Sequence, residues 1–233
     1  MELKKALNNR KSIRSYNGKP ITDAQLASIL TAAYESPIGM GKYDSIHLTI
    51  VTNKELLDAI DKAGAKFFGN PSMHPLYGAP MLIVVSSSDQ GNVASANVAM
   101  IIENMSLAAV EEGVGHCDIY GATYALSQDP AIVAKLNLPE GFTPTGSIIL
   151  GQTEAEYSDR EIPEKHKFSC NTVDRRQLPA ANEIKHAARV LSRYRDARRT
   201  RMLRIRLRLT VRVNQSPFAS FAVSAPARFR IHE

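Results

Sequence analysis

Apolar and polar positions follow a helical period in several parts of the chain. Residues 22–35 open with Thr, Asp, Ala and Gln, a capping box that starts a helix, and then place apolar residues three and four positions apart. Residues 53–64 predict a second helix, because Asn is a good N-cap and Gly often follows the last turn. A third helix is predicted to begin at Asp129-Pro130 and to run to Leu136.

Short apolar runs between these helices have the length and composition of β-strands. They cover residues 45–51, 81–85 and 147–150. Residues 81–85 are apolar at every position, which is typical of a strand buried on both faces. Residues 67–80 contain three Pro and two Gly, and therefore predict a loop. Helices and strands thus alternate along this part of the chain.

Residues 92–112 predict a long helix that ends before Gly113 and has apolar or small residues nearly all round. A helix of this kind is buried on every side. Because the domain is small, we expect a second chain to cover part of the helix. The pattern therefore predicts an oligomer.

Charge divides the chain into two unlike segments. Residues 1–174 carry 14 Lys and Arg against 20 Asp and Glu, a net charge of −6, and prefer Lys to Arg. Residues 175–233 carry 15 Lys and Arg against 3 acids, a net charge of +12, and 14 of these cations are Arg. The abrupt switch favours an appended or out-of-frame tail, which is best excluded from fold reasoning. A basic arm for nucleic acid and a structured extension are the alternatives.

Several classes of protein are disfavoured by the same composition. Residues 1–174 suffice for one domain with a core. We expect no membrane span, because no run of 18 apolar residues occurs, and no signal peptide. Cys117 and Cys170 lie far apart and are expected to be reduced thiols of a cytoplasmic protein. We expect no metal site, because no His, Asp or Glu set has ligand spacing. Residues 113–118 do not match GxGxxG.

A basic cluster near the N-terminus is the strongest candidate for chemistry. Arg10, Lys11, Ser12 and Arg14 place three cations and a hydroxyl within five positions, after a short amphipathic segment. Arg can direct two N–H groups at two oxygens of a phosphate, and Ser adds a neutral donor. A solvated surface is the simpler interpretation of such a charge run.

Six blocks of sequence resemble the nitroreductase family of flavin enzymes, over essentially residues 2–174. They are RKSIRSY (10–16), ESPIGMGKYDSIHLTIV (35–51), YGAPMLIVV (77–85), ENMSLAAVEEGVGHCDIYG (103–121), PTGSIILGQ (144–152) and IPEKHK (162–167). The resemblance implies an α+β fold in which helices flank a mainly antiparallel sheet. It also implies an intertwined homodimer with two FMN molecules at the interface, which agrees with the helix 92–112.

The resemblance assigns a role to each block. The FMN phosphate would be held by Arg10, Ser12, Lys11, Arg14, Lys165 and Lys167. Backbone N–H groups near flavin N5 and O4 would come from Ile119, Tyr120 and Gly121. The partner subunit would contribute Ser36, Pro37, Ile38, Gly39 and Met40. The substrate side would be formed by Phe67, Phe68, His74 and Tyr77.

The resemblance also implies the reaction. We expect hydride to pass from NAD(P)H through FMN to a small nitroaromatic or quinone-like acceptor, in ping-pong order, without an essential side-chain acid or base. The flavin supplies the chemistry, and the protein supplies position and electrostatics. One alternative is a flavin-binding relative with another reaction, such as dehalogenation, or with no turnover. A more distant alternative is nucleic-acid binding through the Arg-rich tail.

Overall fold

The structure is a computed structural model that describes residues 2–161 and 163–171, with residue 165 described in its backbone alone. The chain divides into two units, residues 1–166 and residues 167–233. Of the second unit, the described part is residues 167–171. The predicted basic tail, residues 175–233, lies outside the described residues.

Six α-helices and four β-strands make up the described part of the chain, apart from short 3₁₀ turns. The helices are α1 (Leu3–Asn9), α2 (Asp23–Tyr34), α3 (Lys54–Phe67), α4 (Gly91–Glu111), α5 (Gly121–Ser127) and α6 (Pro130–Ala134). The strands are β1 (Ile46–Val51), β2 (Met81–Ser87), β3 (Gly115–Ile119) and β4 (Thr143–Gly151).

The four strands form one antiparallel sheet in the order β1–β2–β4–β3. Strands β2 and β4 are central, and both are buried over almost their whole length. Strand β3 lies at an edge, so one side of it is free of another strand. The predicted fold class, an antiparallel sheet flanked by helices, is confirmed.

Helices cover both faces of the sheet and bury two apolar clusters. On one face, α2 and α4 pack against side chains of β2 and β4 such as Ile83 and Ile148. On the other face, α3, α5 and α6 pack against Leu82, Ile149 and Cys117. Each fully buried Leu or Ile of these clusters contributes about 1.5–3 kcal/mol relative to an exposed position. The two clusters hold β3 firmly between α4 and α5.

Several predicted elements form with the expected ends. The side chain of Thr22 accepts from the Gln25 N–H, and the Gln25 side chain accepts from the Thr22 N–H, so the predicted capping box is present. Helix α4 ends before Gly113, whose φ of +67° is the left-handed conformation that glycine tolerates best. These ends depend on local chemistry, and the sequence predicts them well.

Other expectations were wrong in their boundaries. Helix α3 does not end at Gly64 but continues to Phe67, and the predicted loop shortens accordingly. Gly64 lies inside the helix at a point of close packing, where a Cβ would meet Pro75 Cγ at 2.7 Å and Ala122 Cβ at 2.9 Å. The predicted ring-binding residues 119–121 join a strand to a helix that the sequence did not predict: Ile119 ends β3, Gly121 begins α5, and Tyr120 lies between them.

Helix α4 is long and apolar enough, by length and composition, to cross a membrane. In the structure it packs against α2 and the sheet, as the core helix of a globular domain does. Two of its apolar side chains remain exposed in the single chain, Val93 at 53 % and Met100 at 38 %. The prediction that a second chain covers this face remains a prediction.

Candidate functional site

The basic segment 10–16 follows the free edge of β3. The Ile13 N–H donates to the His116 carbonyl oxygen at 2.7 Å, and the Ile13 side chain is buried. The Tyr16 hydroxyl donates back to the Ile13 carbonyl at 2.9 Å. The segment is therefore fixed to the sheet at its centre, and its polar side chains lie beside the edge strand.

Arg10 lies toward α4. Its Nε is 3.6 Å from a carboxylate oxygen of Glu103, and both side chains are partly exposed. Asp118 on β3 is a second acid close to this pair: it helps raise the pKa of Glu103, after burial, while Arg10 lowers it. Asp118 is held in place by the Ser106 hydroxyl, which donates to it at 2.8 Å. The Arg10 guanidinium therefore has one carboxylate partner, Glu103, and a second acid, Asp118, lines the same cleft as Glu103.

The other predicted phosphate ligands of this segment have different partners within the chain. The Arg14 guanidinium lies 5.7 Å from the centre of the Tyr77 ring, an arrangement that attracts a cation to an aromatic face. Burial raises the pKa of the Cys117 thiol, and the nearby Ser12 side chain lowers it. The Lys11 ammonium donates to the Glu156 carbonyl at 2.6 Å. Ser12, Arg14 and Arg10 each lower the pKa of Cys117, so the three side chains lie near the same thiol.

Residues 152–160, which we name the strap, cover the basic segment from outside. Asn8 forms three hydrogen bonds with Arg160: its amide donates to the Arg160 carbonyl, its side-chain oxygen accepts from the Arg160 N–H, and its carbonyl accepts from Arg160 Nε. The Thr153 hydroxyl donates to the Ser15 carbonyl at 2.8 Å. The strap thus fixes both ends of the basic segment.

A buried histidine connects the strap to β3. His116 Nδ1 is 2.8 Å from the Tyr157 hydroxyl, which itself donates to the Val114 carbonyl at 2.7 Å. Because the hydroxyl proton is used at Val114, Nδ1 carries the imidazole proton and donates. His116 is fully buried, and its Nε2 has no hydrogen-bond partner among the described residues. Burial lowers the pKa of His116 to about 4.

Aromatic side chains surround the start of α5. The Phe68 ring lies against Gly121, where a Cβ would approach Phe68 Cζ to 2.2 Å, so a side chain at 121 would displace the ring. Phe67 packs edge-on against Phe68 and also contacts Tyr124, which stacks on Tyr120. All four rings are at least 45 % exposed. An exposed aromatic surface therefore adjoins the Tyr120–Gly121 backbone.

A cleft of about 470 Å³ lies between α4 and the ends of β3 and β4. Glu103 and Asp118 contribute its charged groups, and Ile119 and Tyr120 from the predicted ring-binding segment line it. Gly146 in the cleft wall allows α4 to pack closely on β4, since a Cβ there would meet Val98 Cγ1 at 2.7 Å. Glu103, the ion-pair partner of Arg10, and Tyr120 therefore line the same cleft.

His74 and Tyr77 lie apart from the Phe67–Phe68 pair, in a second cleft of about 520 Å³ beside α3. The Asp61 carboxylate accepts from the Leu76 N–H and lies 2.8 Å from His74 Nδ1, which anchors the loop to α3. Tyr77 has a φ of +50°, a conformation that bulky residues rarely adopt. The predicted substrate residues therefore form two groups, Phe67 with Phe68 beside α5 and His74 with Tyr77 in the second cleft.

The remaining predicted ligands belong to two other segments of the chain. Ser36 accepts a hydrogen bond from Asn104, and the Gly39 N–H donates to Asn97, so residues 36–40 pack on α4 of their own chain. Ile38 packs against the core, Pro37 is exposed, and Met40 is 82 % exposed with a φ of +57°. The Lys165 side chain lies outside the described part of the structure, and Lys167 belongs to the second unit.

Residues 7–152 match the model of the nitroreductase family. The chain belongs to the nitroreductase family. The resemblance inferred from the six sequence blocks is therefore confirmed. Family membership accounts for the fold described above, and the comparisons with individual proteins agree with it.

Relatives of this nitroreductase-family chain cover most of the first unit. A protein of Methanothermobacter thermautotrophicus, assigned as an NADH dehydrogenase/NAD(P)H nitroreductase, is 26% identical over 179 residues, or 70% of this chain and 83% of that protein. A nitroreductase with bound FMN from Bacteroides fragilis has a TM-score of 0.63 and 26% identity, covering 73% of this chain and 100% of that one. A nitroreductase with bound FMN from Desulfitobacterium hafniense shares the fold, with a TM-score of 0.63, 23% identity and coverage of 74% and 100%.

Sequence reasoning missed Glu103, Tyr157 and the role of His116 in this nitroreductase-family domain. A signal for Glu103 is present in the chain, because it is the one charged residue between Gly91 and Val110. A charge in the middle of an apolar helix needs a partner. Tyr157 carries no such signal, since its contact with His116 joins residues 41 positions apart.

Proposed function

We propose that this protein is an FMN-dependent oxidoreductase that transfers hydride from NAD(P)H to a small nitroaromatic or quinone-like acceptor in ping-pong order. One observation carries the proposal: the Arg10–Arg14 segment is fixed along the edge of β3, whose end leads directly into the Tyr120–Gly121 backbone. The basic segment and the backbone donors therefore lie along one strand. FMN presents a phosphate and a polar ring edge that require these two kinds of group.

The residues present fit the phosphate of FMN. Arg10 and Arg14 supply guanidinium groups, Lys11 an ammonium group and Ser12 a hydroxyl, within one segment that the strap holds in place. A phosphate withdrawn from water requires several charge-assisted hydrogen bonds, each contributing about 1.5–3 kcal/mol. Lys165 and Lys167 are proposed to add to this set.

The residues present also fit the flavin ring. The first N–H groups of a helix have no acceptor within the helix, and Tyr120 and Gly121 occupy this place at the start of α5. Backbone donors are fixed before a reaction begins, so they can stabilise developing negative charge without rearranging. The Phe68 ring lies against Gly121, and Phe67 packs edge-on against Phe68, so apolar rings adjoin the same place. Ile119 and residues 36–40 of the partner subunit are proposed to complete the ring site.

In the proposed reaction FMN carries the hydride, and no side chain of the protein acts as a general acid or base. Bound FMN supplies a two-electron carrier that accepts and donates hydride. Asp118 is held by Ser106, and His116 is buried and neutral at ordinary pH, so neither side chain is placed to exchange a proton with a substrate. The chain binds, orients and shields the reactants. Donor and acceptor use one position in turn, which imposes the ping-pong order.

The test is the absorbance spectrum of the purified protein before and after NADH is added without oxygen. We expect a yellow protein that NADH bleaches, and that a quinone or nitroaromatic restores. Initial rates at several concentrations of both substrates should give parallel double-reciprocal lines. A yellow protein that neither NADH nor NADPH bleaches would instead favour a relative with another flavin reaction or none.

Replacing Arg10 separates binding from chemistry. We expect Arg10→Ala to weaken FMN binding by about 10-fold or more, because one charge-assisted contact is lost, while the remaining FMN-loaded enzyme turns over at a near-normal rate. Lys5→Ala, an exposed cation of α1, is the matched control and should bind FMN like the wild type. Normal FMN content with lost turnover in Arg10→Ala would contradict the assignment of Arg10.

A further inference from the structure

The Arg10 guanidinium already has a carboxylate neighbour within its own chain. Its Nε is 3.6 Å from Glu103, and Asp118 lies close to the same pair. A phosphate dianion placed at Arg10 would bring two more negative charges close to the Glu103 carboxylate. Like charges this close disfavour each other strongly, so this arrangement cannot persist unchanged when a phosphate binds.

We propose that Glu103 is a positioning residue that holds Arg10 before the cofactor binds and competes with the cofactor phosphate for it, so that FMN remains exchangeable. The inference rests on the proposed function, because it presupposes that FMN binds through Arg10. It adds a residue on α4 that lowers the affinity of the site for a phosphorylated flavin. A flavin without a phosphate does not displace Glu103.

Several observations support a Glu103 side chain that can leave Arg10. The side chain is 45 % exposed and lines the cleft, so water is available to it when the guanidinium turns away. Asp118, in contrast, is fixed by the Ser106 hydroxyl at 2.8 Å. Burial and Asp118 raise the pKa of Glu103, and Arg10 opposes them. When a phosphate binds Arg10 in place of Glu103, the charged Glu103 carboxylate is therefore less stable in its original position.

The position of Glu103 in α4 indicates that its charge has a role. It lies in the middle of α4, where the surrounding turns are apolar or small. A charge among apolar residues disfavours burial of the helix unless it is paired. The pair with Arg10 accounts for Glu103 in the chain without cofactor. Its charge then opposes the phosphate once the cofactor arrives.

The experiment compares FMN and riboflavin, which differ by the phosphate. Both are titrated into flavin-free full-length protein, and binding is followed by the quenching of flavin fluorescence. We expect Glu103→Gln to bind FMN about fivefold more tightly than the wild type, the effect of removing one partly exposed charge pair. Its riboflavin affinity should stay within about twofold, because riboflavin carries no phosphate charge for Glu103 to oppose.

Two further variants exclude a general effect on the fold. Glu112→Gln removes an acid at the end of the same helix, about 13 Å farther along its axis, and should leave both affinities unchanged. Glu103→Gln combined with Arg10→Gln should bind FMN no better than Arg10→Gln alone. This loss of the effect is what competition for Arg10 requires.

Three outcomes would overturn the inference. FMN affinity could be unchanged in Glu103→Gln, both flavins could gain equally, or the gain could survive without Arg10. Each shows that Glu103 does not compete with a phosphate for Arg10. Failure of the wild type to bind FMN is a separate result, because it overturns the proposed function itself.

Discussion

His116 is a polar residue that the fold keeps neutral. It is fully buried, and burial lowers the pKa of its imidazole from 6.5 to about 4. The unfolded chain therefore binds a proton at His116 more readily than the folded chain does. As the pH falls from 6.5 to 4, the free energy of unfolding decreases, because each proton taken up favours the unfolded state. Above pH 6.5 His116 is mostly neutral in both states, so the full free energy of unfolding is retained.

A substitution of His116 tests this linkage. We expect the wild type to lose about 2 kcal/mol of unfolding free energy between pH 7 and pH 5 through this group alone. His116→Asn keeps an N–H donor for Tyr157 and does not titrate, so the variant should lose that part of the pH dependence. Urea denaturation at the two pH values measures it. His47→Asn is the control, and an unchanged pH dependence in His116→Asn would contradict the assignment.

Single residues differ in how far the sequence reveals them. Arg10, Ser12 and Arg14 stand out because three side chains suited to an anion fall within five positions. The partners of these residues do not stand out. Glu103 and Asp118 approach Arg10 from α4 and β3, and the sequence spacing carries no information about that approach. The candidate ligands were therefore predictable, and the charge around them was not.

Helix α3 depends on a close approach to α5 at Gly64. A Cβ at this position would lie 2.7 Å from Pro75 and 2.9 Å from Ala122. In an open helix, Gly→Ala stabilises by up to about 1 kcal/mol. We expect Gly64→Ala instead to destabilise the protein by about 1–3 kcal/mol, because α3 must move away from α5. Thermal unfolding measures the change.

Lys62→Ala provides the comparison for Gly64→Ala, since it lies in the same helix with an exposed side chain. It should change the unfolding free energy by no more than about 0.5 kcal/mol. A melting temperature of Gly64→Ala equal to or above that of the wild type would show that the helices separate easily. Gly64 would then only lower the helix propensity of α3, without a role in packing.

Secondary structure was predictable where local chemistry controls it. The capping box at Thr22 and the long apolar helix α4 form as expected, because caps and periodicity act within one or two turns. Strand β3 and helix α5 were missed. Residues 115–127 carry no strong local pattern, and β3 forms because β4 pairs with it. Such pairing is a property of two distant segments.

The assembly of the whole molecule is predicted to be a homodimer built on α4. Met100 is 38 % exposed and lies on an apolar helix, so water contacts a surface that apolar side chains dominate. We expect Met100→Lys to dissociate the dimer, because a charge would be buried in the interface. Size-exclusion chromatography with light scattering measures the mass. Loss of FMN should accompany dissociation, since residues 36–40 of the partner are proposed to reach the ring.

Gln128→Lys is the matched control for this substitution, because residue 128 is exposed after α5 and away from α4. It should leave the mass unchanged. A wild-type protein that is monomeric, or a Met100→Lys variant that remains dimeric, would place the subunit contact elsewhere.

Local order in this chain follows from its residues alone. The helix caps, the buried strand at 81–85 and the cations at 10–14 depend on neighbours within a few positions, and so does the apolar surface of α4. The arrangement of the site does not. The contacts of Arg10 with Glu103, of His116 with Tyr157 and of Phe68 with Gly121 join segments 41 to 93 positions apart. These contacts form when helices pack on the paired sheet, because burial of apolar surface stabilises the fold as a whole and is not a property of any one segment.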